Sequence, residues 1–164
     1  DSILLLIVLM FIGASPGSTG GGIKTSSAAV LWLLIWNRFK GIEEVSVANR
    51  TIPKETTTRT ISIIFASAFS VALVTALLLV SAPVTPSPSA SRHFFVEYLF
   101  EAVSAYGTVG LSMGVTSALS DFQKLVVALL MFAGRVGPLT LALSLSLQSG
   151  RQKFTYAEEP IMVG

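Results

Sequence analysis

The chain has 164 residues, of which 52% are hydrophobic and 12% are charged, and its net charge is +2. Because roughly a quarter of the residues in an ordinary soluble domain are charged, this composition is typical of a membrane protein in contact with lipid. The sequence has no cysteine, one histidine, no set of catalytic residues and no basic aromatic surface, so we predict neither an enzyme nor a nucleic-acid partner.

The first predicted element is a membrane helix that is interrupted near its middle. The apolar run ILLLIVLMFI is followed by GASPGSTGGGIKT at residues 13–25 and then by a second apolar run that ends near residue 37. Proline and repeated glycine break a helix, and unpaired main-chain groups are costly in hydrocarbon. We therefore predict one helix over residues 1–37, broken by a Gly-rich loop over residues 13–24, and expect the break to have a function.

Residues 38–60 are predicted to form a cytoplasmic loop. Seven basic residues lie in this loop and in the C-terminal tail, residues 149–164, against two in the other connections. The seven are Arg38, Lys40, Arg50, Lys54, Arg59, Arg151 and Lys153. Since cytoplasmic loops are enriched in Lys and Arg, we expect a multi-pass protein of the cell membrane with its C-terminus in the cytoplasm.

Residues 61–148 are predicted to contain an outer helix followed by a re-entrant half-helix. The apolar segment 61–80 is long enough to cross a layer of about 30 Å. A linker rich in proline and serine, residues 81–93, is predicted to be non-helical. The next apolar segment, 94–106, covers only about 20 Å as a helix, so we expect it to turn back inside the membrane.

The chain then continues as a filter segment, residues 107–112, and an inner helix over residues 121–148. Ser120 and Asp121 are predicted to be the N-cap and first-turn acid of that helix. Non-helical backbone at membrane depth persists only where it is buried in protein or lines a water-filled cavity. The filter segment is therefore expected to line a pore.

The sequence TVGLS resembles the TVGYG filter of potassium channels, whose backbone carbonyls replace the hydration shell of the ion. This resemblance implies that potassium is held by backbone carbonyls. The implied ligands are those of Thr108, Val109, Gly110 and Leu111. Gly110 is needed because the backbone must adopt conformations that a Cβ disfavours. Leu111 and Ser112 replace a tyrosine and a glycine, so we expect looser ion selection than in a channel.

Four features together resemble KtrB, the family of membrane subunits of Ktr potassium transporters, within the superfamily that also contains Trk and HKT. They are the apolar run ending in GASPGSTGGGIKT, the sequence SAYGTVGLS, an arginine in the following helix and the terminal EEPIMVG. The resemblance implies an all-α membrane protein built from four potassium-channel-like repeats of helix, pore loop and helix. This chain would be the last helix of the third repeat plus the fourth, with the rest of the pore formed by further chain.

Two short segments, LMFIG at residues 9–13 and LMFAG at residues 130–134, support the repeat interpretation. Each is followed within four residues by a proline. Chance similarity between apolar stretches is the alternative explanation.

In the KtrB family, a glycine-rich intramembrane loop acts as the gate below the filter. The implied gate residues are Gly13, Ser15, Pro16, Gly17, Ser18, Thr19, Gly20, Gly21 and Gly22. Arg135 is the predicted gate partner, because it lies about as deep as the loop and its guanidinium offers five donors and no acceptor. We expect Arg135 to hold the loop across the permeation path.

The Gly-rich loop has other interpretations. A nucleotide-binding P-loop is disfavoured because Ile23 separates Gly22 from Lys24. A broken helix that binds the substrate of a secondary transporter and a simple packing kink remain open.

Lys24 is expected to reach the cytoplasmic interface. Glu101 is expected to bond main chain behind the filter, the alternative being a negative field that attracts cations.

The predicted function is gated, sodium-dependent potassium uptake, and the alternative is secondary transport of a small solute or ion. We expect no cofactor in this chain, only potassium and sodium as transported or activating ions. The resemblance further implies a homodimer of the full-length protein on a cytosolic ring of nucleotide-binding regulatory subunits, with the tail facing these partners.

Overall fold

The computed structural model describes residues 2–41, 46–47, 50–81 and 88–137, and within them it is mostly helical. The five α-helices are α1 (Ser2–Phe11), α2 (Thr25–Phe39), α3 (Lys54–Val80), α4 (Pro88–Gly107) and α5 (Asp121–Val136), with a 3-10 helix at Val115–Ala118. A two-residue antiparallel ladder, β1 (Ser46–Val47) with β2 (Arg50–Thr51), was not expected. Residues 138–148 of the predicted inner helix and the tail, 149–164, lie outside the described residues.

Helix α4 lies at the centre of the fold. It packs against α1, α3 and α5, and its second half supplies six of the fourteen buried apolar side chains of the core. The α4 members of this core are Tyr98, Phe100, Ala102, Val103, Ala105 and Tyr106. They meet Met10 of α1, Leu78 of α3 and Leu130 of α5. The packing therefore fixes the C-terminal end of α4, from which the filter segment emerges.

The helices α3 and α4 begin earlier than predicted. Helix α3 starts at Lys54, seven residues before the predicted outer helix. Its first two turns are polar, and Glu55 in the first turn stabilises them by its position near the positive end of the helix dipole. The prediction that residues 81–93 are non-helical is wrong for residues 88–93, because Pro88 is tolerated in the first turn of α4. Hydropathy located the apolar parts of these helices and missed their polar starts.

Helix α5 begins where predicted. The Ser120 hydroxyl accepts the Gln123 N–H and the Gln123 side chain accepts the Ser120 N–H, which completes a capping box and confirms Ser120 as the N-cap. The buried Gln123 amide also donates to the Leu78 carbonyl at 3.1 Å and to the Ser81 hydroxyl at 3.0 Å. These bonds fasten the start of α5 to the end of α3.

Large apolar side chains cover the outer faces of the helices. Exposed examples are Leu4, Trp32, Phe65, Phe69, Leu129 and Phe132. Such contiguous apolar surface is expected against lipid or further protein. Within the part of the chain that the structure describes, α3 alone is long and apolar enough to cross a membrane, and α1 is a shorter apolar helix.

Candidate functional site

The filter segment leaves α4 through a helix-ending motif. The N–H of Val109 donates to the Ser104 carbonyl at 3.0 Å, and the N–H of Thr108 donates to the Ala105 carbonyl at 3.1 Å. This pair of bonds is the Schellman motif, in which the residue after the C-cap adopts the left-handed conformation. The start of the filter segment is thereby tied to the end of α4.

Thr108 occupies the left-handed position of this motif, with φ of 53°, where glycine is usual. Among the described residues it is the only non-glycine residue with positive φ. A β-branched residue in this region is strained by about 1–3 kcal/mol. Gly110 also has positive φ, 83°. The strain at Thr108 indicates that its hydroxyl is needed at this place.

The Gly-rich loop is an excursion whose two ends are joined. Ile12 and Ile23 form a parallel bridge: the Gly13 N–H donates to the Ile23 carbonyl at 2.8 Å, and the Ile23 N–H donates to the Phe11 carbonyl at 3.2 Å. The main-chain groups released by the helix break therefore pair with each other. The predicted break between two helical halves is present at residues 12–24.

The exposed tip of the loop is a β-turn. The Ser18 N–H donates to the Ser15 carbonyl at 3.1 Å, with Pro16 and Gly17 at the two central positions. Gly17 has φ of 90°, as a type II turn requires of its third residue. Thr19 is exposed beside this turn. The predicted gate residues thus form one compact substructure.

Lys24 holds the loop closed on itself. Its ammonium donates to the Gly20 carbonyl at 2.9 Å and to the Ser18 carbonyl at 3.2 Å. The expectation that Lys24 reaches the cytoplasmic interface stays a prediction, and within the described residues its ammonium is bonded to the loop. The loop carbonyls lie six and four residues before Lys24, within reach of its flexible side chain.

The loop also touches the filter segment directly. The Gly21 N–H donates to the Thr108 hydroxyl at 2.8 Å. A Cβ on Gly21 would lie 2.8 Å from the Tyr106 carbonyl and 2.7 Å from the Thr108 methyl, and one on Gly13 would lie 2.0 Å from the Gly21 carbonyl. Close contact here requires the absence of side chains, which explains glycine at these two positions.

Tyr106 connects the end of α4 to its neighbours. Its hydroxyl lies 2.5 Å from the buried Ser67 hydroxyl of α3. Because Ser67 donates its single hydroxyl hydrogen to the Ile63 carbonyl, Tyr106 is the donor of this bond. On the other side, a Cβ on Gly134 of α5 would lie 2.0 Å from the Tyr106 carbonyl. Helix α5 can approach the filter segment this closely only through a glycine.

Arg135 is placed between the two predicted elements. It lines a cavity of about 150 Å³ with Gly22 and Lys24, and another of about 330 Å³ with Thr108 and Gly110. Its guanidinium donates no hydrogen bond to the Gly-rich loop within the described residues. The loop is held by Lys24 and Thr108 instead, and the gate role of Arg135 stays a prediction.

Two hydroxyl groups, that of Ser112 at the end of the filter segment and that of Thr116 just after it, bond back to α4. Glu101 is 5% exposed. Its carboxylate accepts the Ser112 hydroxyl at 2.8 Å and the Thr116 hydroxyl at 2.6 Å. The expectation that Glu101 bonds main chain is wrong, because its partners within the described residues are side chains.

Sequence reasoning thus predicted the helix break and missed the contacts that bind the loop to residue Thr108. Leu111 and Val109 are exposed, as are the side chains of the loop tip. One feature of the sequence could have predicted the missed contacts, namely polar residues within apolar stretches. These residues are Lys24 beside the glycines, and Glu101 and Ser112 around the filter segment.

Comparisons with known proteins show the family of the chain. The sequence profile of the TrkH family, described as a cation transport protein, matches residues 1–154. The chain is 36% identical over 165 residues to the potassium/sodium uptake protein NtpJ of Enterococcus hirae, which covers 99% of this chain and 35% of that protein. It is 37% identical over 163 residues to the Ktr system potassium uptake protein B of Vibrio alginolyticus, which covers 99% of this chain and 34% of that protein.

A third relative is the Ktr system potassium uptake protein D of Bacillus subtilis, 34% identical over 165 residues that cover 100% of this chain and 35% of the relative. The chain therefore spans about a third of the length of these curated relatives. Transporters of this family are membrane proteins, in agreement with the composition. The resemblance seen in the sequence motifs is confirmed: the chain belongs to the TrkH family of cation transport proteins, together with the Ktr potassium uptake proteins.

Proposed function

We propose that this chain forms part of a gated potassium permeation path. The backbone carbonyls of the filter segment would select the ion, and the Gly-rich loop would open and close the path below it. One observation carries the proposal: the loop, through Gly21, is hydrogen-bonded to Thr108, the first residue of the predicted ion ligands. A gate in contact with the filter can control the same ions that pass through the filter.

The backbone of the filter segment supports the ion-binding part. Thr108 and Gly110 have positive φ, whereas Val109 between them does not. A row of carbonyl ligands that faces one axis needs backbone conformations of this kind. The N–H groups of Thr108 and Val109 are already bonded to α4. In a trans peptide group the C=O points opposite to the N–H, so the Thr108 carbonyl, which shares its peptide group with the Val109 N–H, would be turned away from α4 and would meet a cation.

The loop supports the gating part. It is held by few bonds, of which the two from Lys24 and the one to Thr108 could break together. Glycine allows the backbone to adopt a second conformation at little steric cost. Arg135 lines one cavity with loop residues and another with residues of the filter segment, so its charge would influence either state.

A carrier that binds its substrate at the helix break is the second candidate. The observation that favours it is the pair of cavities around Arg135, which could hold a small solute. A carrier needs the loop to remain intact in order to bind substrate, whereas a gate should leak when the loop is shortened. The two candidates therefore differ in the sign of one effect.

The test is rubidium flux into liposomes containing the full-length transporter that carries this chain. Deletion of residues 20–22 should raise the flux through a gated pore, and abolished flux of a folded protein would favour the carrier. Gly110→Ser should reduce the preference for potassium over sodium. Gly41→Ser is its matched control, because Gly41 also has positive φ, 70°, with open space around it and lies outside the filter segment.

We also propose the wider organisation that the family resemblance implies. The full-length protein would be a homodimer, oriented with the C-terminus in the cytoplasm, and a cytosolic ring of nucleotide-binding subunits would control it. Uptake would depend on sodium. Flux measured with and without sodium, and the mass of the detergent-solubilised complex with and without added nucleotide-binding subunit, test these points.

A further inference from the structure

A buried carboxylate without a cationic partner lies behind the filter segment. Within the described residues, the only ion pair joins Lys124 and Asp121 at 3.8 Å, and Glu101 makes none. Its two oxygens accept one hydroxyl each, from Ser112 and Thr116. Burial of a carboxylate is unfavourable by several kcal/mol unless hydrogen bonds compensate it. The residue is therefore poorly explained as packing alone.

The three groups form a closed cluster. The Ser112 hydroxyl oxygen lies 2.8 Å from that of Thr116 and also accepts the Gly114 N–H at 3.1 Å. Fully satisfied polar networks of this kind rigidify the segments that they join. Here they join the middle of α4 to the chain that leaves the filter segment.

The filter segment is consequently attached to a single helix at both ends. At its start, Thr108 and Val109 are bonded to the last carbonyls of α4. At its end, Ser112 follows Leu111 directly and is bonded to Glu101, about one and a half turns before the end of α4. Only Gly110 and Leu111 lie between the two attachments. The path of these residues depends on both of them.

We propose that Glu101 is a positioning residue of the filter: by holding Ser112 and Thr116 against α4, its carboxylate fixes the orientation of the Gly110 and Leu111 carbonyls and thereby the preference for potassium over sodium. The inference rests on the proposed function of the filter segment. It assigns to Glu101 a role through hydrogen bonds, in contrast to a role as a negative charge that attracts cations.

Substitutions at Glu101 separate these two roles. Glu101→Gln removes the charge and keeps an oxygen that accepts one hydroxyl, while its amide can donate to the other. Glu101→Ala removes both the charge and the oxygens that accept the hydroxyls. Positioning predicts that Gln retains most of the selectivity and Ala loses it, whereas a field effect predicts equal loss in both variants, which would overturn the proposal.

The measurement is the ratio of initial potassium to sodium uptake by the full-length transporter in liposomes. We expect Glu101→Ala to lower the ratio about tenfold, the scale of one lost charge-assisted hydrogen bond. Ser112→Ala should also lower it, and the double variant should be no worse than Glu101→Ala alone, because Glu101→Ala already removes the bond to Ser112. Additive effects would contradict the proposal.

The matched control is Glu97→Ala. Glu97 lies one turn earlier on α4, is half-buried and makes no hydrogen bond within the described residues. The potassium-to-sodium uptake ratio of the Glu97→Ala variant should equal that of the parent protein. If Glu101→Ala fails to fold, Glu101→Gln and Thr116→Val carry the test: Thr116→Val should lower the ratio and leave the detergent-solubilised protein monodisperse.

The result distinguishes this inference from the proposed function. A parent protein that does not discriminate potassium from sodium would refute the filter itself. A discriminating parent whose Glu101 and Glu97 variants behave alike would refute only the role of Glu101.

Discussion

The backbone N–H of Gly21 donates a 2.8 Å hydrogen bond to the hydroxyl of Thr108, 87 residues further along the chain. The Gly-rich loop and the filter segment are therefore in direct contact. Thr108 is held in a left-handed conformation that glycine would adopt without strain. The hydroxyl that binds the loop is the feature that glycine could not supply.

Substitution of Thr108 tests this contact. Thr108→Val keeps the shape and removes the acceptor, so the closed loop should lose about 0.5–1.5 kcal/mol and basal rubidium flux should rise about twofold to tenfold. Thr108→Ser is the control, because it keeps the hydroxyl. Equal flux in both variants would mean that the hydrogen bond does not stabilise the closed state.

Lys24→Met should open the loop more strongly. The variant keeps a long apolar side chain and removes both charge-assisted bonds to the Ser18 and Gly20 carbonyls, each of about 1.5–3 kcal/mol in such settings. We expect at least tenfold higher basal flux in liposomes. Lys124→Met is the control, because Lys124 is exposed and, within the described residues, its ammonium pairs only with Asp121. This variant should leave flux unchanged. Unaltered flux in Lys24→Met would show that the Lys24 bonds do not hold the loop closed.

Arg135→Ala should make transport leakier with little change in ion preference. Arg135 lines the cavities beside the loop and the filter segment, and it is the predicted gate partner. Rubidium flux and the potassium-to-sodium ratio are measured together. A changed ratio with unchanged flux would reverse the assignment, and Arg38→Ala, at an exposed arginine in the last turn of α2, controls for loss of positive charge.

Gly134→Ala should disrupt the site by steric conflict. The added methyl would lie 2.0 Å from the Tyr106 carbonyl, and backbone cannot move aside without displacing the filter segment. Overpacking of this kind typically destabilises by about 1–3 kcal/mol, so a lower thermal midpoint of the purified protein and loss of uptake are expected. Ala128→Ser adds an atom at an exposed position of the same helix and should change neither.

Tyr106→Phe tests the link between α3 and α4. Ser67 keeps its bond to the Ile63 carbonyl, so the loss should be limited to about 1 kcal/mol. The thermal midpoint should fall by a few degrees, and Ser67→Ala combined with Tyr106→Phe should lose less than the sum of the two single losses. Independent, additive losses would indicate that the two hydroxyls do not bind each other in the folded protein.

The sequence predicted those features that depend on local chemistry. Proline and five glycines in residues 13–22 break a helix wherever they occur, and Ser120 followed by Gln123 forms a capping box from its own side chains. The apolar runs located the helices in the same way. These signals need no knowledge of the rest of the fold.

The missed features depend on the path of the chain in space. Glu101 and Ser112 are eleven residues apart, and they meet only because the filter segment turns back along α4. Lys24 finds its acceptors only after the loop has closed on the Ile12 and Ile23 bridge. The polar start of α4 was missed for a different reason: hydropathy does not distinguish a polar helix from a linker.

Tyr106, near the end of α4, contacts three other helices. Its ring packs on Phe11 of α1 with centroids 6.2 Å apart, its hydroxyl bonds Ser67 of α3, and its carbonyl lies under Gly134 of α5. Tyr106 directly precedes the filter segment, and only Gly107 separates it from Thr108. Tilting of the surrounding helices by a thinner or thicker bilayer would therefore be transmitted mechanically to Thr108, and the acyl-chain length of the lipid should tune ion preference.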